Sequence, residues 1–345
     1  MQHSDVNAIP TWESCLQAVR DFPVINLGRW PSPLERYTHP TLGTLLVKRD
    51  DLAGFGVRGR SGVKARKLEG FLAHVQRAGY RTILIPLPNA TTLAFDLIPV
   101  AARLGLAVQV LVVDTPVVPS DLRRQLFADV ASQIELCGTS RTKVTCMLAW
   151  RWLLAARRRT RPIAVLPSPA HPAAIVGAAR GYLEMVQQQI DARQPMPRAV
   201  YVATAAGATA AGFVLAEALR RRCGEPPIRI VPVQVAPSPL GLWLRLLVWW
   251  TWRFMNFPRP FPNQPHVIER PDAGVDYGIF DGELERICED TVRRYGFEID
   301  PVYGAKSWQV MERIERGIRS ERPPLFWHCG YTHSWPQVRT HTPGR

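Results

Sequence analysis

The feature that most constrains this chain is an alternation, starting near residue 80, of short apolar runs with longer amphipathic ones. Strands are predicted at 82–87, 107–113, 163–166, 199–203 and 228–235. Helices are predicted between them at 92–104, 120–130, 172–192 and 209–222. Short apolar strands separated by helices of about 10–20 residues indicate βαβ units, whose parallel strands are buried on both faces. The pattern therefore predicts an α/β protein with parallel sheets.

Length and composition are those of a globular protein. The chain has 345 residues, which suggests about two domains. Its 46% hydrophobic and 21% charged residues exclude a disordered or fibrous class. No apolar run approaches the roughly 20 residues that span a bilayer, and residues 1–10 lack the basic and apolar pattern of a secretory signal. We therefore expect a cytoplasmic protein without a membrane partner.

The charge is strongly basic, with 43 Lys and Arg residues against 29 Asp and Glu, a formal net charge of +14. The arginines are dispersed apart from runs at 157–159 and 220–222, and no nucleic-acid-binding signature accompanies them. An arginine-rich solvated surface accounts for the same numbers, so a nucleic-acid partner is not expected. The six cysteines contain no C-x-x-C pair, so neither a metal site nor a disulfide framework is expected.

Ligands in open α/β sheets bind where the carboxyl ends of strands turn into helices. One such turn is the small-residue segment A-T-A-A-G-A-T-A-A-G at 203–212. Small residues let the backbone approach a ligand closely, and exposed amides at a helix N-terminus suit a phosphate. The segment is neither a Walker loop nor G-x-G-x-x-G, and close backbone packing would use the same residues.

A second group of motifs lies near the N-terminus. It consists of G-R-W-P-S-P-L-E at 28–35, K-R-D-D at 48–51, a glycine-rich stretch at 54–62 and V-K-A-R-K-L-E at 63–69. In order and spacing these resemble G-x-x-P-T-P-L-E, K-R-D-D and G-N-K-x-R-K-L-E. Those are motifs of pyridoxal-phosphate enzymes of the tryptophan-synthase-β superfamily, in particular the 1-aminocyclopropane-1-carboxylate deaminase and D-cysteine desulfhydrase family.

The resemblance extends over most of the chain. It includes A-A-R-L-G-L at 101–106, D-Y-G at 276–278, D-P-V-Y at 300–303 and F-W-H-C-G at 326–330. The segment at 207–212 is similar to the family's G-S-T-x-A-G phosphate cradle. The resemblance implies a fold-type-II enzyme with two domains, each with a mainly parallel sheet flanked by helices. A large cofactor-binding domain is expected at 1–66 and 175–345, with a small domain at 67–174 closing over the site.

The resemblance also implies a cofactor, pyridoxal 5'-phosphate, and a set of site residues. Lys64 matches the lysine that forms the Schiff base and then serves as base at the substrate Cα; Lys67 is the alternative in the same motif. The expected catalytic residues are Lys64, Thr91, Tyr277 and Tyr303. The expected cofactor contacts are Lys64, Thr92, Gly207, Ala208, Thr209, Ala210, Ala211, Gly212 and Cys329.

Several of these residues also have simpler interpretations. The two threonines could cap a helix, because Thr is common at that position. The two tyrosines could be core aromatics with satisfied hydroxyls. Cys329 could be a small buried residue. For these residues the site roles and the structural roles both remain open.

The chain departs from the family pattern around the cofactor ring. The family's S-N-H falls at 91–93, where the sequence is T-T-L, and the asparagine before the lysine is Val63. The residue after D-P-V-Y, which in the family faces the pyridine nitrogen, is Gly304. Pro167-Ser168-Pro169 replaces a glycine-rich segment. The family's substrate therefore cannot be transferred to this chain.

The segment 240–257 is rich in tryptophan, phenylalanine and arginine. Such a stripe is typical of a core or a subunit interface. It could also lie at a membrane interface, where Trp and Arg are both favoured, or cover a wide pocket.

The leading interpretation is an enzyme that acts on a small amino acid by removing the Cα proton, followed by elimination, deamination or β-replacement. A homodimer is expected from the resemblance. The alternatives are a divergent homologue that binds or scaffolds without deaminase chemistry, and a synthase of unrelated reaction type.

Overall fold

A computed structural model describes residues 10–56, 62–88, 93–113, 134–137, 141–166, 169–259, 261, 266–272, 274 and 278–330. The strands are β1 (Leu34–His39), β2 (Gly43–Arg49), β3 (Thr82–Pro88), β4 (Ala107–Val113), β5 (Ile134–Leu136), β6 (Pro162–Ala164), β7 (Ala199–Thr204), β8 (Arg229–Gln234) and β9 (Pro324–His328). The helices are α1 (Trp12–Arg20), α2 (Val63–Arg77), α3 (Leu93–Arg103), α4 (Arg141–Arg157), α5 (Pro172–Asp191), α6 (Ala208–Arg222), α7 (Leu240–Phe254), α8 (Gly282–Tyr295) and α9 (Gly304–Glu315). A short 3-10 helix, Asp50–Leu52, follows β2.

The described strands form two sheets. The larger has the order β1-β2-β9-β7-β8; β1 is antiparallel to β2, and the other neighbours are parallel. Every residue of β7 is buried, as expected for a central parallel strand covered on both faces. Val200 and Val202 pack with α5, α6 and α7, whereas Tyr201 packs with α8 and α9. This alternation follows from the two-residue period of a strand.

The smaller sheet has the order β5-β4-β3-β6 with all neighbours parallel. Residues of α2 and α3 share one hydrophobic core with β3 and β4. The strand predicted at 163–166 is shorter and lies at 162–164, and the helix predicted at 120–130 lies outside the described residues. The sequence did not predict α4, because its exposed Trp150 and Leu153 obscure the helical period.

Helix α2 connects the two sheets. It packs closely on α5 through glycines on both helices: a Cβ on Gly70 would lie 2.3 Å from the Ala173 carbonyl oxygen, and one on Gly177 would lie 2.1 Å from the Arg66 oxygen. The expected domain boundaries at 66/67 and 174/175 fall inside α2 and α5. The division into two domains stays a prediction.

The tryptophan-rich segment forms α7. One face of this helix is core, including Leu244, Leu247 and Trp252. The opposite face exposes Leu242 and Trp249. None of the helices in the described part of the chain combines the length and hydrophobicity needed to cross a bilayer.

Candidate active site

Lys64 lies in the first turn of α2, where this helix meets the carboxyl end of β9. The Val63 amide donates to the Cys329 carbonyl oxygen at 2.9 Å. The preceding residue, Gly62, has a φ of +54°, and a Cβ on it would lie 2.2 Å from the same oxygen. Only glycine permits both the conformation and this approach. The contact therefore fixes Lys64 beside the turn that follows β9.

An acidic residue of α3 faces the lysine. Asp96 Oδ2 lies 3.8 Å from Lys64 Nζ, and the Asp96 side chain is fully buried, whereas 24% of the Lys64 side chain is exposed. Burial of the amino group lowers the pKa of Lys64, and Asp96 and Asp300 oppose this shift only in part. A lysine with a lowered pKa spends more of its time as the neutral, nucleophilic amine.

A second lysine lies one helical turn further along α2. Lys67 is buried, and its pKa is lowered to about 8 by burial and by the charge of Lys64. The first turn of α2 contains no acidic residue to offset these cations. Since a helix N-terminus is itself positive, two lysines there make this region attractive to an anion.

Cys329 lies beside these lysines at the end of β9. Burial, with a further contribution from Asp50, raises the pKa of its thiol to about 12, although Lys67 works in the opposite direction. The thiol is therefore neutral at physiological pH. It can serve as a weak hydrogen-bond partner but not as an anionic one.

The D-P-V-Y segment forms the N-terminus of α9. Asp300 Oδ1 accepts hydrogen bonds from the amides of Val302 and Tyr303 at 3.0 and 2.8 Å. Asp300 Oδ2 is buried without a hydrogen-bond partner in the described part of the chain, and burial raises the pKa of this carboxyl group. A Cβ on Gly304 would lie 2.8 Å from Ile299 Cβ. Ile299 thus occupies the space that a larger residue at position 304 would need.

The turn between β7 and α6 is made of small residues and has a left-handed glycine just before the helix. Gly207 has a φ of +83° and precedes the first residue of α6, and it makes no side-chain cap. Ala208, Thr209 and Ala210 are buried. The first amides of a helix lack intrahelical partners, so they are available to a ligand here. Ala211 lies further along, and its amide donates to the Gly207 carbonyl within the helix at 2.8 Å.

Helix α7 covers this turn. Trp243 Nε1 donates to the Ala206 carbonyl oxygen at 3.0 Å, and a Cβ on Gly207 would lie 3.2 Å from a methyl group of Leu247. Gly212 has a different role, because a Cβ there would lie 2.5 Å from the Ile175 carbonyl oxygen of α5. Helix packing therefore requires Gly212, whatever ligand the turn binds.

Beneath the lysines, a buried charge network anchors α2. Arg66 donates two hydrogen bonds to Asp50 at 2.8 and 2.9 Å and two to Glu184 at 2.8 and 3.0 Å. Lys48 Nζ also donates to Glu184 at 2.6 Å, and Trp327 Nε1 donates to Asp50 at 2.9 Å. Two residues of the K-R-D-D motif, Lys48 and Asp50, therefore support the helix that carries Lys64.

The expected residues Thr91, Thr92 and Tyr277 lie outside the described residues. Among the remaining expected residues, Lys64, Tyr303 and Cys329 belong to elements that converge on the end of β9, and Gly207 opens the neighbouring turn. Sequence reasoning did not select Asp96 or Asp300. Asp96 had a usable signal, because it is the sole acidic residue in the otherwise apolar first two turns of α3.

Comparisons with solved structures define the fold. The chain is similar to an ACC deaminase homologue, with a TM-score of 0.74 and 21% identity over 94% of this chain and 95% of that one. It is also similar to a pyridoxal 5'-phosphate-dependent aspartate racemase, with a TM-score of 0.57 and 14% identity over 94% and 97%. An O-acetylserine-dependent cystathionine beta-synthase from Helicobacter pylori gives a TM-score of 0.57 and 14% identity over 95% and 97%.

The protein therefore has the fold-type-II architecture of pyridoxal-phosphate enzymes, which confirms the predicted fold class. No family model and no curated protein matches the sequence. The ACC deaminase homologue, at 21% identity, shows the fold and not the narrower deaminase family.

Proposed function

We propose that this protein is a pyridoxal-phosphate enzyme that acts on a small amino acid by removing its Cα proton and eliminating or replacing a β-substituent. The observation that carries the proposal is Lys64, an amine of lowered pKa at the carboxyl end of β9 in this fold. The likeness to deaminase, racemase and synthase structures supports the same class of chemistry.

The described residues fit the cofactor at two points. The uncapped N-terminus of α6 beyond Gly207 offers backbone amides to a phosphate. Lys64 and Lys67 supply a nucleophilic amine and a buried cation at a helix N-terminus that has no acidic residue in its first turn. When bound, the cofactor supplies the electron sink for the carbanion at Cα. Lys64 would hold it, and the amine of this lysine would take the Cα proton.

The fit is poorer at the pyridine nitrogen. The residue expected to face that nitrogen is Gly304, and Ile299 occupies the adjacent space. Cys329, which is expected nearby, remains a neutral thiol. A ring without an acidic partner is a weaker electron sink. This favours elimination of a good β-leaving group over harder reactions such as opening a cyclopropane ring.

The binding partner and the quaternary structure follow the same proposal. The substrate is a small amino acid, residues 67–174 close over it, and Tyr303 and the threonines at 91 and 92 contact it or the cofactor. We further propose a homodimer in the cytoplasm. Sedimentation analysis of the purified protein tests the dimer, and a monomeric mass would contradict it.

The lysine assignment is tested by reducing the cofactor-loaded protein with borohydride and mapping the peptides. A pyridoxyl group on Lys64 is expected. A label confined to Lys67, or no label after cofactor addition, would refute the assignment. Absence of any label would favour instead a divergent homologue that binds or scaffolds without this chemistry.

The phosphate-binding turn is tested with a matched pair of glycine variants. Gly207→Val and Gly224→Val place the same strain on residues with φ values of +83° and +81°, but a Cβ at 224 meets nothing within 4 Å. Cofactor affinity should weaken in the first variant and not in the second. Equal affinities would place the phosphate elsewhere.

Substrate choice is tested by assaying 1-aminocyclopropane-1-carboxylate beside a β-substituted alanine, with Lys64→Ala as the control. A lost hydrogen bond to a charged group costs about 1.5–3 kcal/mol, roughly ten- to a hundredfold in rate. We expect little or no turnover of the cyclopropane substrate and faster turnover of the alanine derivative. Efficient, Lys64-dependent release of 2-oxobutanoate would refute this expectation.

A further inference from the structure

Asp96 is a buried carboxylate that the chemistry above does not use. It lies in the first turn of α3, which follows β3 of the smaller sheet, and its side chain is fully buried among apolar neighbours such as Leu93 and Leu97. Aspartate is seldom fully buried unless a partner compensates its charge. Its Oδ2 atom lies 3.8 Å from Lys64 Nζ, on a different element and 32 positions along the chain.

We propose that Asp96 is the counter-ion of Lys64 and a positioning residue, which offsets part of the cost of burying the ammonium form and directs the amino group toward α3. A role for this pair in catalysis rests on the proposed function, whereas the electrostatic pairing of Asp96 with Lys64 does not. Within the described part of the chain, the charged groups that act on Lys64 or respond to it are two carboxylates and one ammonium group, from three elements. Asp96 comes from α3, Asp300 from the segment before α9, and Lys67 from α2 itself.

Asp96 is the stronger of the two carboxylates in this role. Burial raises the pKa of Asp300, whose Oδ1 is already engaged by the amides of Val302 and Tyr303. Lys67 adds repulsion, because the two ammonium groups lower each other's tendency to be charged. Asp96 thus offsets part of the cost of burying the charged form of Lys64.

The test measures the pKa values of both lysines in the same full-length protein, stripped of bound carbonyl compounds with hydroxylamine. Each lysine's acylation by acetic anhydride is followed against pH by peptide mass spectrometry in wild type and Asp96→Asn. Loss of the carboxylate should lower the pKa of Lys64 by about one unit, which is about tenfold faster acylation below that pKa. The pKa of Lys67 should stay or rise, because a less charged Lys64 repels it less.

This opposite movement separates the proposal from a merely structural effect. If Asp96→Asn only loosened the packing, water would reach both amines and both pKa values would rise toward 10.5. An unchanged or raised pKa of Lys64 would overturn the proposal. Asp96→Ser, smaller and also neutral, repeats the test if the amide variant folds poorly. Asp290→Asn, on the exposed face of α8, should leave both lysines unchanged.

The outcome is independent of the proposed function. A fall in the pKa of Lys64 together with no pyridoxyl label on this residue would uphold the ion pair and reject the cofactor chemistry. A pyridoxyl label on Lys64 without a fall in its pKa would support the cofactor chemistry and reject the ion pair.

Discussion

Helix α2 carries two charged groups two residues apart whose surroundings differ sharply. Arg66 is held by Asp50 and Glu184 in a network with hydrogen bonds of 2.8 to 3.0 Å. Lys64 faces Asp96 at 3.8 Å. Although burial opposes ionisation throughout the network, its ion pairs raise the pKa of Arg66 and lower those of Asp50 and Glu184, so the charged forms are favoured. Lys48 is the exception, because burial lowers its pKa.

The groups around Lys64 show the reverse. The pKa values of Lys64 and Lys67 are lowered and that of Asp300 is raised, in each case chiefly by burial. The fold therefore favours the charged forms of Arg66, Asp50 and Glu184 and disfavours those of the groups around Lys64. Perturbations of this second kind cluster at functional sites. Three measurements of stability test this contrast, and a fourth tests the backbone contact that positions α2.

The largest effect is expected from Arg66→Met. It leaves the buried carboxylate of Asp50 without its main counter-ion, and breaking a buried ion pair from one side typically costs about 3–5 kcal/mol. The free energy of unfolding from denaturant titration gives the value. As a control, Asp290→Ala removes a partner of the exposed Arg293 and should change stability by less than about 0.5 kcal/mol. Similar losses in both variants would mean that the network is not specially important.

The second effect concerns the backbone contact that positions α2 on α5. Gly70→Ala would place a Cβ 2.3 Å from the Ala173 carbonyl oxygen, which requires the helices to separate and should cost about 1–3 kcal/mol. Gly282→Ala, at the exposed start of α8, meets nothing within 4 Å and should be neutral or stabilising. Thermal unfolding of both variants decides the point. A neutral Gly70→Ala would show that α2 is free to shift.

The third effect is a pH dependence from Lys67. Its folded pKa of about 8 is below the usual 10.5, so the unfolded chain binds more protons between these values and wild-type stability rises with pH across that window. Lys67→Met should remove this rise and be more stable than wild type by about 1–2 kcal/mol at pH 7. The difference should shrink toward pH 10.5. Parallel stability curves for the two proteins would contradict it.

The smallest effect is expected from Asp300→Asn. The raised pKa of Asp300 means that wild-type stability falls as pH rises from the unfolded value of 3.8 toward the folded one. The asparagine side chain keeps an oxygen that accepts from the backbone amides of Val302 and Tyr303, and it carries no charge. A gain of about 0.5–1 kcal/mol at pH 7 is expected, vanishing at low pH. Denaturant midpoints of both proteins, measured across the acidic pH range, test this prediction. A lower stability of the variant at pH 7 would refute it.

The fold was largely predictable because its central elements are locally regular. The helices after β3 and β7 and the long α5 begin and end within a residue or so of their predicted positions. Helix α4 was not predicted, because Trp150 and Leu153 are exposed. The hydrophobic residues of this helix therefore do not mark one buried face.

Residues of the candidate site could be proposed from the sequence only where motifs exist. Lys64 and Gly207 have local signatures, whereas the contact between Asp96 and Lys64 depends on how α3 packs beside α2. Ile299 was not predicted either. It lies five positions before Gly304 in the chain and occupies the space beside that glycine. The spacing of these residues in the sequence indicates neither contact.

The buried network also bears on how relatives of this protein should be compared. Asp50 and Arg66 hold the fold together, so selection for folding alone would retain them in a lineage that had abandoned catalysis. Lys48 and Asp50 of the K-R-D-D signature therefore indicate the fold and are no evidence of activity. Loss of chemistry should first appear as drift at Lys64 and Asp96, whose replacement the folded chain can better tolerate.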